Sequence, residues 1–217
     1  MCYYFAVTLR DSILFGLDRT FNNKLTGENR MDVKRYSVLP NNRIFLPTGH
    51  MWFCTVIQSA LQSILEDSLE LFEIGKSELS ELFSKGWEEV KKDAIDQFRA
   101  AGKKEDVGNI DCLYSGFDQG NPFIISVSSV DDFQLKLVDK PNRYICLNQT
   151  PEVLTFVRNS LHSFLGATQG QEADKTWELA KRFLPGIISK ISKADRLVSA
   201  NGDLIFLTKD KVLTHEF

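Results

Sequence analysis

Cys2 is the first candidate for chemistry in this sequence, because it directly follows the initiator methionine. Methionine is generally removed before a small second residue, so the mature chain is expected to begin with a thiol beside a free α-amine. An α-amine has a pKa of about 7.7 to 8.0, which suits a general base near neutral pH. One residue would then supply both nucleophile and base. A buried apolar cysteine on an edge strand is the alternative interpretation of Cys2.

Asp18 is the second candidate, because the pairing of the first two strands is expected to bring it to Cys2. Residues 2–9 and 12–17 are two apolar, β-rich runs that predict a hairpin. A three-residue loop at 9–11 puts Cys2 opposite Asp18, with Cβ atoms roughly 4.5 to 5.5 Å apart. The hairpin therefore predicts a thiol and a carboxylate within side-chain reach of each other.

Lys34 is the expected partner of the Asp18 carboxylate. A buried carboxylate needs a compensating group, and Lys34 begins the next strand pattern. The alternatives for Asp18 are a solvated strand end and an ion pair with Arg19.

The order of the predicted elements indicates the fold class. The apolar periodicity and the turn signals predict strands at 2–9, 12–17, 33–39, 43–48, 110–117, 122–130, 133–138, 143–147, 203–208 and 211–216, and helices at about 50–74, 77–101, 150–165 and 172–192, the last kinked or split at Pro185. Residues 19–31 are predicted to form a loop or an irregular extension of the first hairpin. Blocks of strands alternating with pairs of helices favour antiparallel sheets with helices on their outer faces, which is an α+β fold.

Composition limits the classes of function. With 217 residues, 43% of them apolar, the chain 1–217 is expected to form one globular domain. No apolar run reaches the ~20 residues of a membrane span and the start lacks the features of a signal peptide, so a cytoplasmic protein without membrane contact is expected. A net charge of −3 with dispersed basic residues argues against nucleic-acid binding.

Metal and cofactor sites are not indicated by the sequence. The four cysteines are far apart and show no CxxC spacing, which argues against zinc, iron–sulfur and redox pairs. The three histidines are equally scattered, and there is no GxGxxG motif or P-loop. No cofactor and no metal are therefore expected.

The N-terminal third of the chain resembles a known family. The segments LFGLDRT (14–20), MDVKRY (31–36) and FLPTGH (45–50) resemble the start of proteasome β subunits and their bacterial relatives. That family begins with a nucleophile, usually threonine, followed by an aspartate, a lysine and a glycine before the first helix. The residues at the matching positions are Cys2, Asp18, Lys34 and Gly49, with one residue inserted in the turn at 40–44.

The resemblance implies a fold and a role for each matching residue. The fold is the N-terminal-nucleophile (Ntn) hydrolase fold, a four-layer αββα sandwich of two antiparallel sheets flanked by helices. Lys34 would favour the Cys2 thiolate and depress the pKa of the α-amine, while Asp18 would hold Lys34. The backbone N–H of Gly49 would donate to the oxyanion of a tetrahedral intermediate.

The sequence departs from the family in three places. Cysteine replaces the usual threonine, and Leu147-Asn148 stands where the family has a serine before glycine, so that Asn148, Gln149 or Thr150 would have to take its place. Asp195 and Ser199 lie near the family's late aspartate and serine, but Asp195 is one residue out of register, and both are interpreted as surface residues. His50 is interpreted as a neighbour of a helix cap.

The leading functional hypothesis is an amide-bond hydrolase, with peptides as the expected substrates, that forms a thioester on Cys2. By resemblance, such subunits assemble into homo-oligomeric rings or stacks. The sequence does not indicate whether an ATPase partner exists. A proteasome-like scaffold or binding subunit without catalysis is the second hypothesis, and retention of Met1 would favour it. An N-terminal-cysteine acylase or glutaminase is the third, although glutaminases usually have glycine where this chain has Tyr3.

Overall fold

Two five-stranded antiparallel sheets, one two-stranded hairpin, five α-helices and a single 3-10 turn at Ser129–Asp131 make up the part of the chain that the structure describes. The computed structural model describes residues 3–30, 32–67, 76–147, 151–196 and 198–217. In chain order its elements are β1 (Tyr4–Thr8), β2 (Ser12–Asp18), β3 (Phe21–Asn22), β4 (Asn29–Arg30), β5 (Ser37–Leu39), β6 (Arg43–Thr48), α1 (Met51–Asp67), α2 (Lys76–Ala100), β7 (Asp111–Asp118), β8 (Asn121–Ser128), β9 (Lys136–Val138), β10 (Arg143–Leu147), α3 (Pro151–Thr168), α4 (Ala173–Phe183), α5 (Pro185–Ala194), β11 (Gly202–Thr208) and β12 (Val212–Glu216).

The two large sheets stack face to face between two layers of helices. Sheet I has the strand order β10-β1-β2-β11-β12 and sheet II the order β5-β6-β7-β8-β9, while β3 and β4 form a separate small hairpin. Strand residues such as Phe15 and Leu113 pack between the sheets. The outer face of sheet I packs on α3, α4 and α5, and that of sheet II on α1 and α2. The predicted four-layer sandwich is therefore confirmed.

Most predicted elements are present, with changes at their ends. Strand β5 covers only the last three residues of the predicted 33–39 strand, because the residues before it alternate between exposed and half-buried positions up to the buried Tyr36. Helix α1 is described to Asp67, and the remainder of its predicted range lies outside the described residues. The expected break at Pro185 is confirmed, since α4 ends at Phe183 and Pro185 is the first residue of α5. No helix in the described ranges combines the length and apolarity needed to cross a bilayer.

The predicted register of the first hairpin is wrong by one residue. Strand β1 pairs with β2 so that Thr8 faces Ile13 and Tyr4 faces Leu17, and the connection spans 9–12 instead of 9–11. Asp18 therefore lies beside Tyr3, not opposite Cys2. The packing of Phe5 explains this register, because Phe5 faces Gly16 and its ring lies directly over the glycine. A Cβ added to Gly16 would lie only 2.2 Å from Phe5 Cζ, so only glycine leaves room for the ring.

Candidate functional site

Asp18 ends strand β2 in a fully buried position and binds the start of the chain through the backbone. Its Oδ1 accepts a hydrogen bond from the N–H of Tyr3 at 2.6 Å, and the N–H of Asp18 donates to the carbonyl of Tyr3 at 3.0 Å. Its Oδ2 accepts from the N–H of Thr20 at 3.1 Å and from the N–H of Ser199 at 3.4 Å. The carboxylate thus joins the start of β1, the end of β2 and the segment before β11.

Ser199 is buried beside Asp18, so its interpretation as a surface residue is wrong. It is 5% exposed, and its N–H also donates to Thr20 Oγ1 at 2.7 Å. Its own Oγ accepts from the N–H of Asn201 at 3.0 Å, which turns the chain toward β11. The available signal was a serine at nearly the spacing of the family's late serine, but only the fold shows that the segment after α5 returns to Asp18. Asp195, at the end of α5, is half-buried.

Lys34 does not pair with Asp18. Its side chain is exposed, and its ammonium lies 4.5 Å from the centroid of the Tyr36 ring. No lysine or arginine among the described residues forms an ion pair with the Asp18 carboxylate. The predicted Asp18–Lys34 ion pair is therefore absent, because backbone N–H groups already satisfy both carboxylate oxygens. The ring of Tyr36 belongs to the same core between the sheets as Tyr4.

Arg19, the residue after Asp18, is the centre of an ion-pair cluster. Its Nε and Nη2 donate to the two carboxylate oxygens of Asp203 at 2.9 and 2.7 Å, and the Asp203 side chain is only 1% exposed. Asp32 and Glu216, both largely exposed, contact the same guanidinium at 2.9 and 2.8 Å. The hydrogen bond to Asp203 is the main cause of the raised pKa of Arg19. This cluster ties the end of β2 to β11 and β12.

Gly49 occupies the turn between β6 and α1, where only glycine fits without strain. Its φ is +106°, and a Cβ at this position would lie 2.7 Å from the carbonyl oxygen of Asn109 and 2.4 Å from Ile110 Cδ1. The preceding Thr48 anchors the turn by donating from Oγ1 to the carbonyl of Asp111 at 3.0 Å. The backbone at Gly49 is exposed but held by its neighbours, which suits a fixed hydrogen-bond donor.

His50 is half-buried immediately before α1. Burial lowers the pKa of its imidazole, and its Nδ1 is buried without a hydrogen-bond partner in the part of the chain that the structure describes. Its carbonyl accepts the N–H of Cys54 at 3.1 Å, in keeping with the predicted role at the helix start. Burial therefore favours the neutral form of the imidazole next to Gly49.

Protonation of His50 is expected to destabilise the protein as the pH falls below about 6.5, the ordinary pKa of histidine. Because burial lowers the pKa in the folded state, the unfolded chain binds the proton more readily, and stability is lost on acidification. The His50→Gln variant should lose less unfolding free energy between pH 7.5 and pH 5 than the parent does in urea titrations. The exposed His162→Gln is the matched control, and equal pH slopes in both variants would contradict the assignment.

Burial changes the pKa of two other thiols in the described chain. Burial raises the pKa of the Cys54 thiol to about 12 and places that of Cys112 well above its ordinary value. Neither thiol is therefore a ready nucleophile at neutral pH.

Cys2 and residues 148–150, which hold the suggested serine replacements, lie outside the described residues. In the described ranges, no group of three or more His, Cys, Asp or Glu side chains could hold a metal ion.

The comparisons with known proteins bear on the fold. No protein-family model matches the chain, and no curated protein matches it. Solved structures that share its fold include two Anbu proteins. The chain covers 86% of an Anbu (Gly-1) mutant from Hyphomicrobium sp. strain MC1 over 100% of its own length, at 14% identity and a TM-score of 0.61. It covers 86% of Anbu, an ancestral beta-subunit, from Yersinia bercovieri over 98% of its own length, at 13% identity and a TM-score of 0.64. The chain therefore has the proteasome-like Ntn-hydrolase fold.

Proposed function

We propose that this protein is a proteasome-like amide-bond hydrolase that uses Cys2 as its nucleophile after removal of Met1. The observation that carries the proposal is the buried Asp18 carboxylate, which accepts the N–H of Tyr3, the residue after Cys2. Because consecutive Cα atoms are about 3.8 Å apart, this hydrogen bond restrains the backbone immediately next to the nucleophile. A fixed chain end is what a terminal thiol and its own amine need to act together.

The reaction would proceed through a thioester. The α-amine of Cys2 takes the thiol proton, and the thiolate attacks the carbonyl carbon of a peptide or other amide. The N–H of Gly49 donates to the resulting oxyanion, and the amine passes the proton to the leaving nitrogen as the C–N bond breaks. Water then hydrolyses the thioester and restores the thiol. Peptides are the proposed substrates.

The role of Lys34 in this proposal differs from the one implied by resemblance alone. Asp18 does not hold Lys34, so Asp18 positions the backbone and Lys34 contributes separately. Its ammonium contacts Tyr36, which packs between the sheets together with Tyr4 and Leu17. In sequence, Tyr4 is two residues after Cys2 and Leu17 directly precedes Asp18, and a cation in this neighbourhood favours the thiolate.

Labelling of the N-terminus tests the proposal. The protein is expressed without a tag, its intact mass is measured, and it is then treated with a peptide carrying a thiol-reactive electrophile. We expect a mass that lacks Met1 and one adduct per chain, mapped to Cys2. The Lys34→Met variant, which keeps the stem over Tyr36 without the charge, should label about 10-fold more slowly, as expected for a thiol pKa raised by about one unit.

Matched variants separate catalysis from general thiol reactivity. Cys2→Ser should lose the adduct, whereas Cys146→Ser should keep it, because Cys146 is half-buried in β10 and has no role in the proposal. Lys34→Arg should label nearly as fast as the parent. A chain that retains Met1 and takes no label at Cys2 would contradict the proposal and favour a proteasome-like scaffold without catalysis.

A further inference from the structure

We infer that the hairpin formed by β3 and β4, here called the 21–30 hairpin, selects substrates by size at the proposed site. Small amides and small thiol reagents reach Cys2 while the tip of the hairpin is attached to the loop between α2 and β7. A peptide chain reaches it only after the tip has been released. The inference rests on the proposed function, and it adds the part of the chain that selects the substrate.

The root of the hairpin lies at the Asp18 end of the site. Strand β3 begins directly after Thr20, whose N–H donates to the Asp18 carboxylate at 3.1 Å. The guanidinium of Arg35 donates to the carbonyl of Thr20, and the N–H of Val33 donates to the carbonyl of Arg19 at 3.0 Å. Both hydrogen bonds bring the chain after β4 back to the end of β2. The hairpin therefore starts and ends beside the carboxylate that holds the N-terminal strand.

The tip of the hairpin contacts the loop between α2 and β7 at two points. Lys24 forms an ion pair with Asp106 at 2.6 Å, and the ammonium of Lys103 donates to the carbonyl of Leu25 at 2.5 Å. The Lys24 ammonium also lies over Gly108, where an added Cβ would be 3.2 Å from Nζ. These contacts attach the tip to a segment that is remote from the root of the hairpin.

The same loop leads into the residues that pack against Gly49. A Cβ on Gly49 would lie 2.7 Å from the carbonyl oxygen of Asn109 and 2.4 Å from Cδ1 of Ile110. The hairpin tip contacts the residues just before Asn109, and its root lies at Asp18. It therefore connects the two ends of the proposed site, and a peptide that approaches Cys2 between them meets the hairpin.

The turn at the tip is preformed by hydrogen bonds within the hairpin. The Oδ1 of Asn23 accepts from the N–H groups of Leu25 and Thr26 at 3.0 and 3.1 Å. The N–H of Asn23 donates to the carbonyl of Glu28, and the N–H of Gly27 donates to the carbonyl of Asn23, both at 2.7 Å. Gly27 has a φ of +76°, which favours glycine. The turn therefore meets the loop as one unit.

The attachment of the tip is weak enough to open. The side chains of Lys24 and Asp106 are 50% and 60% exposed, and an exposed ion pair changes an equilibrium by no more than about fivefold. A two-stranded hairpin is at most marginally stable in water by itself, so the contacts with the loop are part of what keeps it in place. An extended peptide that binds at the site can therefore displace the tip.

Labelling of Cys2 with a large and a small reagent tests the inference. The protein is treated with the thiol-reactive peptide and, separately, with iodoacetamide, and the adduct at Cys2 is followed by mass. Lys24→Met and Asp106→Asn should each react about 2- to 5-fold faster than the parent with the peptide, because the tip is released. Both should react at the parent's rate with iodoacetamide. High salt should accelerate peptide labelling of the parent and leave that of both variants nearly unchanged.

The two variants also separate release of the tip from a change in charge. Lys24→Met removes a positive charge and Asp106→Asn removes a negative one. An electrostatic effect on the Cys2 thiol would change the two rates in opposite directions, and that result would overturn the inference. Lys85→Met breaks an exposed ion pair with Glu81 on α2 and is the matched control, for which both rates should equal those of the parent.

Hydrogen exchange measures the release of the tip without the use of Cys2. The amides of Asn23 and Gly27 should exchange about 2- to 5-fold faster in Lys24→Met and Asp106→Asn than in the parent or Lys85→Met. Unchanged exchange, or an unchanged ratio of the two labelling rates, overturns the inference and leaves the proposed function intact. A parent that reacts with neither reagent at Cys2 contradicts the proposed function and overturns the size selection with it.

Discussion

Replacing Asp18 with alanine is expected to lower the free energy of unfolding by about 3 to 5 kcal/mol, since it leaves two buried N–H groups without an acceptor. The donors belong to Tyr3 and Thr20, whereas the N–H of Ser199 keeps its 2.7 Å hydrogen bond to Thr20 Oγ1. Urea titration at neutral pH measures the loss. Hydrogen exchange should show that the amides of Tyr3 and Thr20 lose protection before the rest of sheet I.

Two variants control for the loss of the Asp18 charge. Asp32→Ala removes a carboxylate with 78% side-chain exposure that pairs with the neighbouring Arg19, and it should cost less than about 1 kcal/mol. Asp18→Asn keeps one acceptor oxygen but points an amide N–H₂ at donors, so its stability should lie between those of the parent and Asp18→Ala. An Asp18→Ala protein as stable as Asp32→Ala would show that the carboxylate does not hold the N-terminal strand.

Replacing Arg19 with alanine should be comparably severe. The change leaves the Asp203 carboxylate, only 1% exposed, without its two-point partner in the interior of sheet I. Breaking a buried ion pair from one side typically costs about 3 to 5 kcal/mol, because the remaining charge is desolvated and unpaired. The unfolding free energy in urea is again the measurement.

A variant that removes both Arg19 and Asp203 separates the cost of an unpaired Asp203 carboxylate from the contribution of the ion pair to stability. Arg19→Met with Asp203→Leu replaces both groups by apolar side chains, and it should recover most of the stability lost in Arg19→Ala. Glu216→Gln, which alters a 71% exposed partner of the same guanidinium, should change stability by less than about 1 kcal/mol. A double variant as unstable as Arg19→Ala would mean that shape, not charge, accounts for the loss.

These two residues act on different parts of the chain end. Asp18 binds backbone N–H groups, including the one next to Cys2, while Arg19 joins the end of β2 to β11 and β12. Labelling of Cys2 in Asp18 or Arg19 variants must therefore be compared at temperatures where each variant is folded. Lost labelling in a folded Asp18→Asn protein would reflect the position of the nucleophile, not global unfolding.

The periodicity of apolar residues predicted the fold because each element buries one face. Strand β6 lies at the predicted residues 43–48, and the break before α5 lies at the predicted proline. Short-range signals of this kind are encoded in a few neighbouring residues. Asp18 and Lys34 were proposed as a site from residue type and spacing, and Gly49 from the family resemblance, and their catalytic roles stay predictions.

The pairing of the first hairpin and the partners of Asp18 were decided by tertiary structure. Both registers bury apolar residues, so the pattern alone did not distinguish them, and the contact of Phe5 with Gly16 selects one. Ser199 contacts Asp18 across 181 positions of sequence, at a distance that no local pattern encodes.

By itself, the sequence determined the element types, the layer order and the residues available for chemistry, because these follow from local periodicity and side-chain type. The tertiary structure alone decided that backbone N–H groups, not Lys34, satisfy Asp18, and that Ser199 is buried beside it. The physical reason is that hydrogen bonds and burial depend on which distant segments meet in space. That choice is made by the packing of the whole molecule.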